Sequence, residues 1–418
     1  MTTPLTNWAR NIIFSAERLH GPTSVEQLQR LVAGSGRIRT LGTGHSFNRI
    51  ADTTGDLVTV ADLPRTIEID TAARQVRVSG GTRYGELGAR LQAEGLALHN
   101  MGSLPHISVA GACSTGTHGS GVGNRNLAAA VSAVELVTAD GDLVTVRRGD
   151  ADFPGAVLAL GAVGVITHLT LDAEPTYDVR QTVYDMLPFE QFREDPLGVL
   201  SAGYSVSAFT TWRQDAFDQV WVKQRLEEEP LPAVWRGAAA ADGPRHPVPG
   251  MPPVHATEQG GVPGPWNARL PHFRIEFTPS SGEELQSEWF VPREHAAAAF
   301  DALASVREQI APVLQICELR TIAADDMWIS PVYGRDTVAL HFTWVQDTPA
   351  VTPVLGAIES ALAALNARPH WAKLFTTPPD VVAGLYPRFD DARRLLTRYD
   401  PKGVFRNELL DTYLPPLG

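Results

Sequence analysis

From Thr23 onward the chain is apolar at Val25, Leu28, Leu31 and Val32, the three-and-four spacing of one helix face. Thr23 with Glu26 three places later predicts a capping box at the start of that helix. The preceding "IIFSAERLHGP" predicts a short strand entering a turn, and the following "RIRTLG" a strand that feeds a glycine turn. The period then changes. Ile67 and Ile69, then Val76 and Val78, alternate with polar residues across a short turn, which predicts a hairpin. "GELGARLQAEG" reads as a helix ending at Gly95, "AVELVTADGDLVTV" as a second hairpin on an Asp-Gly turn, and "GVITHLTLDAEP" as a closing strand.

Beyond Pro175 the pattern changes. "YSVSAFTTW" and "QVWVKQRLEEE" read as longer strands. A Pro- and Gly-rich excursion runs from Glu229 to Trp266. "HFRIEFT", "ELQSEWFV", "LQICELRTI" and "TVALHFTWV" then read as strands, separated by helices at "REHAAAAFDALASVREQI" and "TPVLGAIESALAALNA". This order predicts a mainly antiparallel sheet with helices on one face. The tail "DPKGVFRNELL" reads as loop.

The strand alternation sorts the polar residues. Glu318 and Arg320 are two apart and share a face with Ile316 and Ile322. His341 and Thr343 share one face of their strand, opposite Leu340, Phe342 and Trp344; Gln286 and Glu288 share a face of theirs. Such a face either lines a wet cavity or is an exposed surface carrying a solvated ion pair.

Composition narrows the function. The 418 residues predict about two domains, and 44% hydrophobic with 20% charged residues is ordinary for a folded chain. A net charge of -12 argues against a nucleic-acid binder. Cys113 and Cys317, the only cysteines, support neither a disulfide framework nor a Cys-rich metal site. Lys223, Lys373 and Lys402 are the only lysines. No signal peptide is legible and no run approaches the ~20 apolar residues of a membrane helix. The expectation is a cytoplasmic monomer with no membrane partner.

Dinucleotide, P-loop, nucleophile-elbow and zincin motifs are all missing from the sequence. Two other glycine-rich stretches stand out: "LGTGHSFN" from Leu41, and "NMGSLPHISVAGACSTGTHGSGVGNRN" from Asn100, which holds His106 and His118. Small residues let backbone N–H groups approach an anion closely. The pair reads either as the two walls of a phosphate-bearing cofactor site or as two surface loops.

"RIRTLGTGHSFN" resembles the histidine-containing pyrophosphate loop of the vanillyl-alcohol-oxidase-type flavoproteins, and "SLPHISVAGACSTGTHGSG" their second FAD-cradling stretch. "GAVGVIT" resembles the segment beside the adenine; "ARPHWAK" and "DPKGVFRNELL" resemble signatures of the aldonolactone-oxidase branch. From Asn7 to the tail the chain is similar to the bacterial alditol oxidases.

The resemblance implies an α+β, two-domain FAD-linked oxidase fold, with residues 1–178 and 375–418 binding FAD and 179–374 binding substrate. It implies FAD attached covalently through an imidazole nitrogen of His45. It implies cofactor contacts at Thr40, Leu41, Gly42, Thr43, Gly44, Ser46, Ser103, Ser108, Gly111, Ala112, Cys113, Ser114, Thr117, His118, Gly119, Val165, Ile166, Lys373 and Asn407. It implies a polyol surrounded by Ser103, Gln286, Glu318, Arg320, His341, Thr343 and Lys373. Glu318, Arg320 and Lys373 would polarise the reacting hydroxyl, and His341 would help accept its proton. It implies oxygen access beside Gly102, with no metal needed. An aldonolactone oxidase or dehydrogenase, and a non-catalytic sugar-binding protein on a flavin scaffold, are the alternatives.

Overall fold

The structure, a computed structural model, describes residues 4–276 and 283–417. A parallel three-stranded sheet joins Arg18–His20, Asp56–Val58 and Ile38–Thr40, with Asp56–Val58 in the middle. The helix Val25–Gly34 connects two of these strands and buries Leu28 and Val32. Its cap lies one residue later than predicted: the Ser24 hydroxyl accepts from Gln27 N–H, while Gln27 Oε1 takes the Thr23 N–H. A five-stranded antiparallel sheet follows, in the spatial order Ile67–Asp70, Gln75–Ser79, Val165–Asp172, Val131–Val137, Leu143–Arg147. Both predicted hairpins form here.

The second part is one ten-stranded sheet. It includes the long strand Asp178–Pro188, which the alternation did not single out, and the predicted strands Ser205–Thr210, Ala216–Arg225, Glu284–Pro292, Leu314–Ile322 and Thr337–Val345. Leu319, Leu340, Phe342 and Trp344 face a core shared with helices Ala296–Ser305 and Thr348–Leu362. The opposite face carries the polar residues.

Three segments depart from expectation. "HFRIEFT" is no strand at His272–Glu276, where Phe273 makes only an isolated bridge to Ala256; Phe277 and Thr278 lie outside the described residues. The helix expected across "REHAAAAFDALASVREQI" ends at Ser305 and a new turn begins at Arg307. The tail forms a helix, Glu408–Tyr413. Thr348–Leu365 is long and apolar enough, by length and composition alone, to cross a membrane. Yet Val351, Leu355, Ile358 and Leu362 are buried in the sheet's core, and Glu359 accepts the Thr376 N–H at 2.8 Å. Those are the contacts of a core helix.

The C-terminal segment returns to the first part. Ile38 N–H donates to Val404 O, and the buried Arg39 guanidinium donates to the carbonyls of Gly161 and Phe405. This closure puts the glycine-rich stretches against the polar face of the large sheet.

Candidate active site

Register builds the centre of the site. Glu288 pairs with His341, and His341 pairs with Glu318, so the three side chains form a row across adjacent strands. One step along, Gln286 pairs with Thr343. Arg320 extends the Glu318 face by two residues. Lys373, just after the short strand Arg368–Pro369, reaches the row from the end of the sheet. The alternation thus brings Gln286, Glu318, Arg320, His341 and Thr343 onto one cavity, together with Ser103 and Lys373.

Glu288 is the hub, and it is absent from the residues the resemblance implied. Its side chain is inaccessible to solvent, with Lys373 Nζ at 2.6 Å, Arg320 Nη2 at 3.1 Å and His118 Nε2 at 3.1 Å. Burial alone would raise its carboxyl, but Lys373 and His118 hold it well below the usual carboxylate range. Its signal was legible: it stands two residues from Gln286 on an already polar face.

Glu318 is likewise buried. His272 Nε2 lies 2.9 Å and Arg320 Nε 3.5 Å from its Oε1. Burial opposes its charge, but Arg320 and His272 keep the carboxyl below its ordinary value. His272 sits in an irregular segment, where no periodicity marks it.

Lys373 Nζ also lies 2.7 Å from His341 Nδ1. An ammonium can only donate, so Nδ1 is the acceptor and a neutral His341 carries its proton on Nε2. Burial, then Lys373, pushes the His341 imidazolium down to about 4. In that tautomer the neutral ring offers Nε2–H to the cavity, while its Nδ1 lone pair faces Lys373.

The same cavity, about 760 Å³, continues between the two glycine-rich stretches. Thr40, Leu41, Gly42, Thr43, Gly44, His45 and Ser46 form one wall; Gly102, Ser103, Ser108, Gly111, Ala112, Ser114, Thr117 and His118 form the other, with Ile166 nearby. The walls nearly touch: a Cβ on Gly42 would meet Ser108 Oγ of the other wall at 2.9 Å, and one on Gly111 would meet the same oxygen from within its own wall at 2.8 Å. His45 stacks on Trp8 with ring centroids 5.0 Å apart, and its Nδ1 lies 3.0 Å from Thr43 Oγ1. Its Nε2 is buried without a partner. Burial pushes this imidazole down to about 4, so it is neutral at pH 7.

Four expected cofactor residues lie off the cavity. Cys113 is buried in the apolar core, 3.4 Å from Tyr84 OH, and burial pushes its thiol up to about 12. Gly119 is wedged against Asn100 Oδ1 and Met101 O, where a Cβ would meet them at 2.3 and 2.4 Å. Val165 packs with Leu28, Val32 and Ile38. Asn407 caps the last helix and donates to the carbonyls of Arg49, Ile50 and Asp52, so it braces the wall from behind. His106 turns away, to Ile275 O at 2.7 Å.

Residues 17–147 match the model of an FAD binding domain, and residues 282–413 that of D-arabinono-1,4-lactone oxidase. The chain is 53% identical to an alditol oxidase from a Streptomyces species, over 98% of this chain and 99% of the relative. It is 28% identical to the L-gulono-1,4-lactone dehydrogenase of Mycobacterium tuberculosis, over 98% and 99% of the two chains. The crystal structure of a cholesterol oxidase from B. sterolicum shares the fold, with a TM-score of 0.79 at 16% identity, over 99% of this chain and 96% of that one. The protein is an FAD-dependent oxidoreductase with the two-domain FAD-linked oxidase fold, and it belongs to the alditol oxidase family within the aldonolactone-oxidase branch.

Proposed function

We propose that the protein oxidises the terminal C1 hydroxyl of alditols such as xylitol and sorbitol to the aldose, with O₂ reduced to H₂O₂. The observation that carries this reading is the row Glu288–His341–Glu318, flanked by Arg320 and Lys373, facing the same cavity as the glycine-rich walls. A polyol is uncharged and presents a line of hydroxyls. Gln286, Thr343 and Ser103 offer both donors and acceptors along that line, and the charged groups gather at one end. Identity to the Streptomyces alditol oxidase, about twice that to the lactone enzyme, supports the same choice.

The residues present fit FAD. The first wall comes close to Ser108 of the second because Gly42 lacks a Cβ, and the buried Nε2 of His45 lacks a partner. A neutral imidazole is the form that can act as a nucleophile. We assign His45 as the covalent attachment point on those grounds. The residues of the two walls, from Thr40 to Ser46 and from Ser103 to His118, would hold the cofactor. When bound, FAD supplies the hydride acceptor and passes electrons to O₂.

The chain's own part is positional and electrostatic. Arg320 and the remaining N–H of Lys373 donate to the reacting oxygen. Glu318, whose contacts with His272 and Arg320 both fall on Oε1, accepts from the hydroxyl. His341 donates from Nε2. Glu288 anchors Arg320 through Nη2 and Lys373 through Nζ, which fixes where both cations donate.

Gly102 is read as the oxygen-access position. Its φ is not left-handed, and a Cβ there would make only ordinary contacts, at 3.6 Å to Ile107 and Thr117. The backbone does not demand glycine here, which favours a reason connected with the cavity. We place the domain boundaries at 1–178 with 375–418, and 179–374. Under air, xylitol and sorbitol should yield H₂O₂ while aldonolactones turn over poorly. Rapid lactone oxidation without polyol activity overturns the substrate assignment.

A further inference from the structure

Lys223 is 1% exposed, and no step of the proposed chemistry uses it. It stands on Ala216–Arg225, a strand buried on both faces. Burial lowers its ammonium to about 7, against the pull of Glu318, so Lys223 carries its charge at pH 6, yet its direct contacts among the described residues include no carboxylate. Its Nζ contacts Leu270 O, Pro271 O at 3.2 Å and His272 Nδ1 at 3.1 Å. Three N–H groups thus meet three acceptors. On the far side of the same ring, His272 Nε2 lies 2.9 Å from Glu318 Oε1. Phe209 and Trp221 pack edge-on against the imidazole, with centroids 5.6 and 5.2 Å away. The backbone N–H of His272 donates to Ser103 O at 3.1 Å. The chain Lys223–His272–Glu318 therefore runs from the middle of the sheet into the active site.

We propose that Lys223 is a positioning residue: its N–H occupies the Nδ1 lone pair of His272 and keeps that ring neutral, so that Nε2–H serves Glu318 as a neutral donor. An imidazole facing a buried carboxylate would otherwise take up a proton readily. An imidazolium there would quench the Glu318 charge that accepts the substrate hydroxyl. Lys223 blocks this because a lone pair already engaged by an ammonium cannot bind a proton. The direction of the His272 shift agrees: burial, then Lys223, pushes it down to about 4, against the pull of Glu318. The other charged groups facing Glu318 are Arg320 on its own strand, His341 on the neighbouring strand and Lys373 from the sheet's end. None of them reaches His272 Nδ1. The role of Glu318 rests on the proposed function; the protonation of His272 does not.

The test is the side-chain ¹⁵N spectrum of His272 in the holoenzyme, assigned by its loss in His272→Gln. At about pH 6 the wild-type ring should be neutral with the proton on Nε2. In Lys223→Met, which keeps the stem and removes the donor, the His272 pKa should rise by more than two units from about 4, so that the ring is an imidazolium at pH 6. The acid limb of anaerobic flavin reduction should move to higher pH with it. Lys223→Gln restores an uncharged donor and should return the ring toward neutrality. A wild-type imidazolium, or a ring in Lys223→Met as neutral as the wild type, overturns the proposal. The wild-type spectrum alone decides the first outcome, even if Lys223→Met does not fold. A spectrum as expected in a protein that polyols do not reduce would leave this proposal standing and reject the alditol reading.

Discussion

Glu288 and Lys373 meet at 2.6 Å in the interior of the site, one from the middle of a strand and the other from beyond the end of the sheet. Lys373 binds His341 with a second N–H, while Glu288 holds Arg320 and His118. The pair ties the row of polar residues to the segment that closes it.

Glu288→Gln should therefore be costly in two ways. Leaving the buried cations without their shared counter-charge costs about 3–5 kcal/mol, read as a fall in melting temperature. Anaerobic flavin reduction should also slow, since Arg320 and Lys373 lose their anchor. A variant with unchanged melting and unchanged reduction would show that Glu288 is a bystander.

Arg320→Ala separates chemistry from folding. The account predicts a protein that stays yellow but reduces its flavin about 10² to 10³ more slowly. Leu319→Ala is the control, because Leu319 faces the apolar core on the other side of the strand. It should lose about 2–5 kcal/mol of stability with a smaller effect on rate. A normal reduction rate in Arg320→Ala would make the Arg320–Glu318 contact purely structural.

How far the sequence reaches can be seen on these strands. "CELRTI" and "ALHFTWV" alternate, so residue spacing by itself places Glu318 with Arg320, and His341 with Thr343, each pair on one face of its strand. The same rule put Glu288 beside Gln286, but no local feature marks a carboxylate as a hub. Lys223 is hidden for another reason: a strand buried on both faces has no alternation to read. His272 follows a Pro- and Gly-rich excursion, and its path is set by distant contacts. On the cofactor side, small residues identified both walls, but not which of Cys113, Gly119, Val165 and Asn407 turn outward, because that depends on packing behind the wall.

Stability should fall on the acid side. Burial brings His272 and His341 each to about 4, against about 6.5 in the unfolded chain. The unfolded state thus binds more protons between those values, and stability drops as pH falls from about 6.5 toward 4. Each ring contributes up to about 3 kcal/mol. Glu318 and Glu288, held low in the folded state, act in the same direction at lower pH. Melting temperature followed from pH 7 downward checks this; a flat profile through that window contradicts the neutral, buried assignment of both rings.

Gly102→Ala isolates the oxygen step. A Cβ fits the surrounding protein, so the variant should fold and be reduced by polyol at the normal rate. Reoxidation of the reduced enzyme by O₂, followed by stopped flow, should slow several-fold. Unchanged reoxidation would remove Gly102 from the account of oxygen access.

Acid precipitation tests the tether. The yellow colour should stay with the polypeptide in the wild type and pass to the supernatant in His45→Ala. Colour released from the wild type would leave His45 as a non-covalent contact.

The most direct measurement is anaerobic mixing of the purified yellow protein with xylitol, with the flavin absorbance recorded and the product identified. The account predicts bleaching by xylitol, one equivalent of the aldose per flavin, and recovery of the colour with H₂O₂ on admitting air. A flavin that stays oxidised with xylitol and sorbitol but bleaches with an aldonolactone would contradict it.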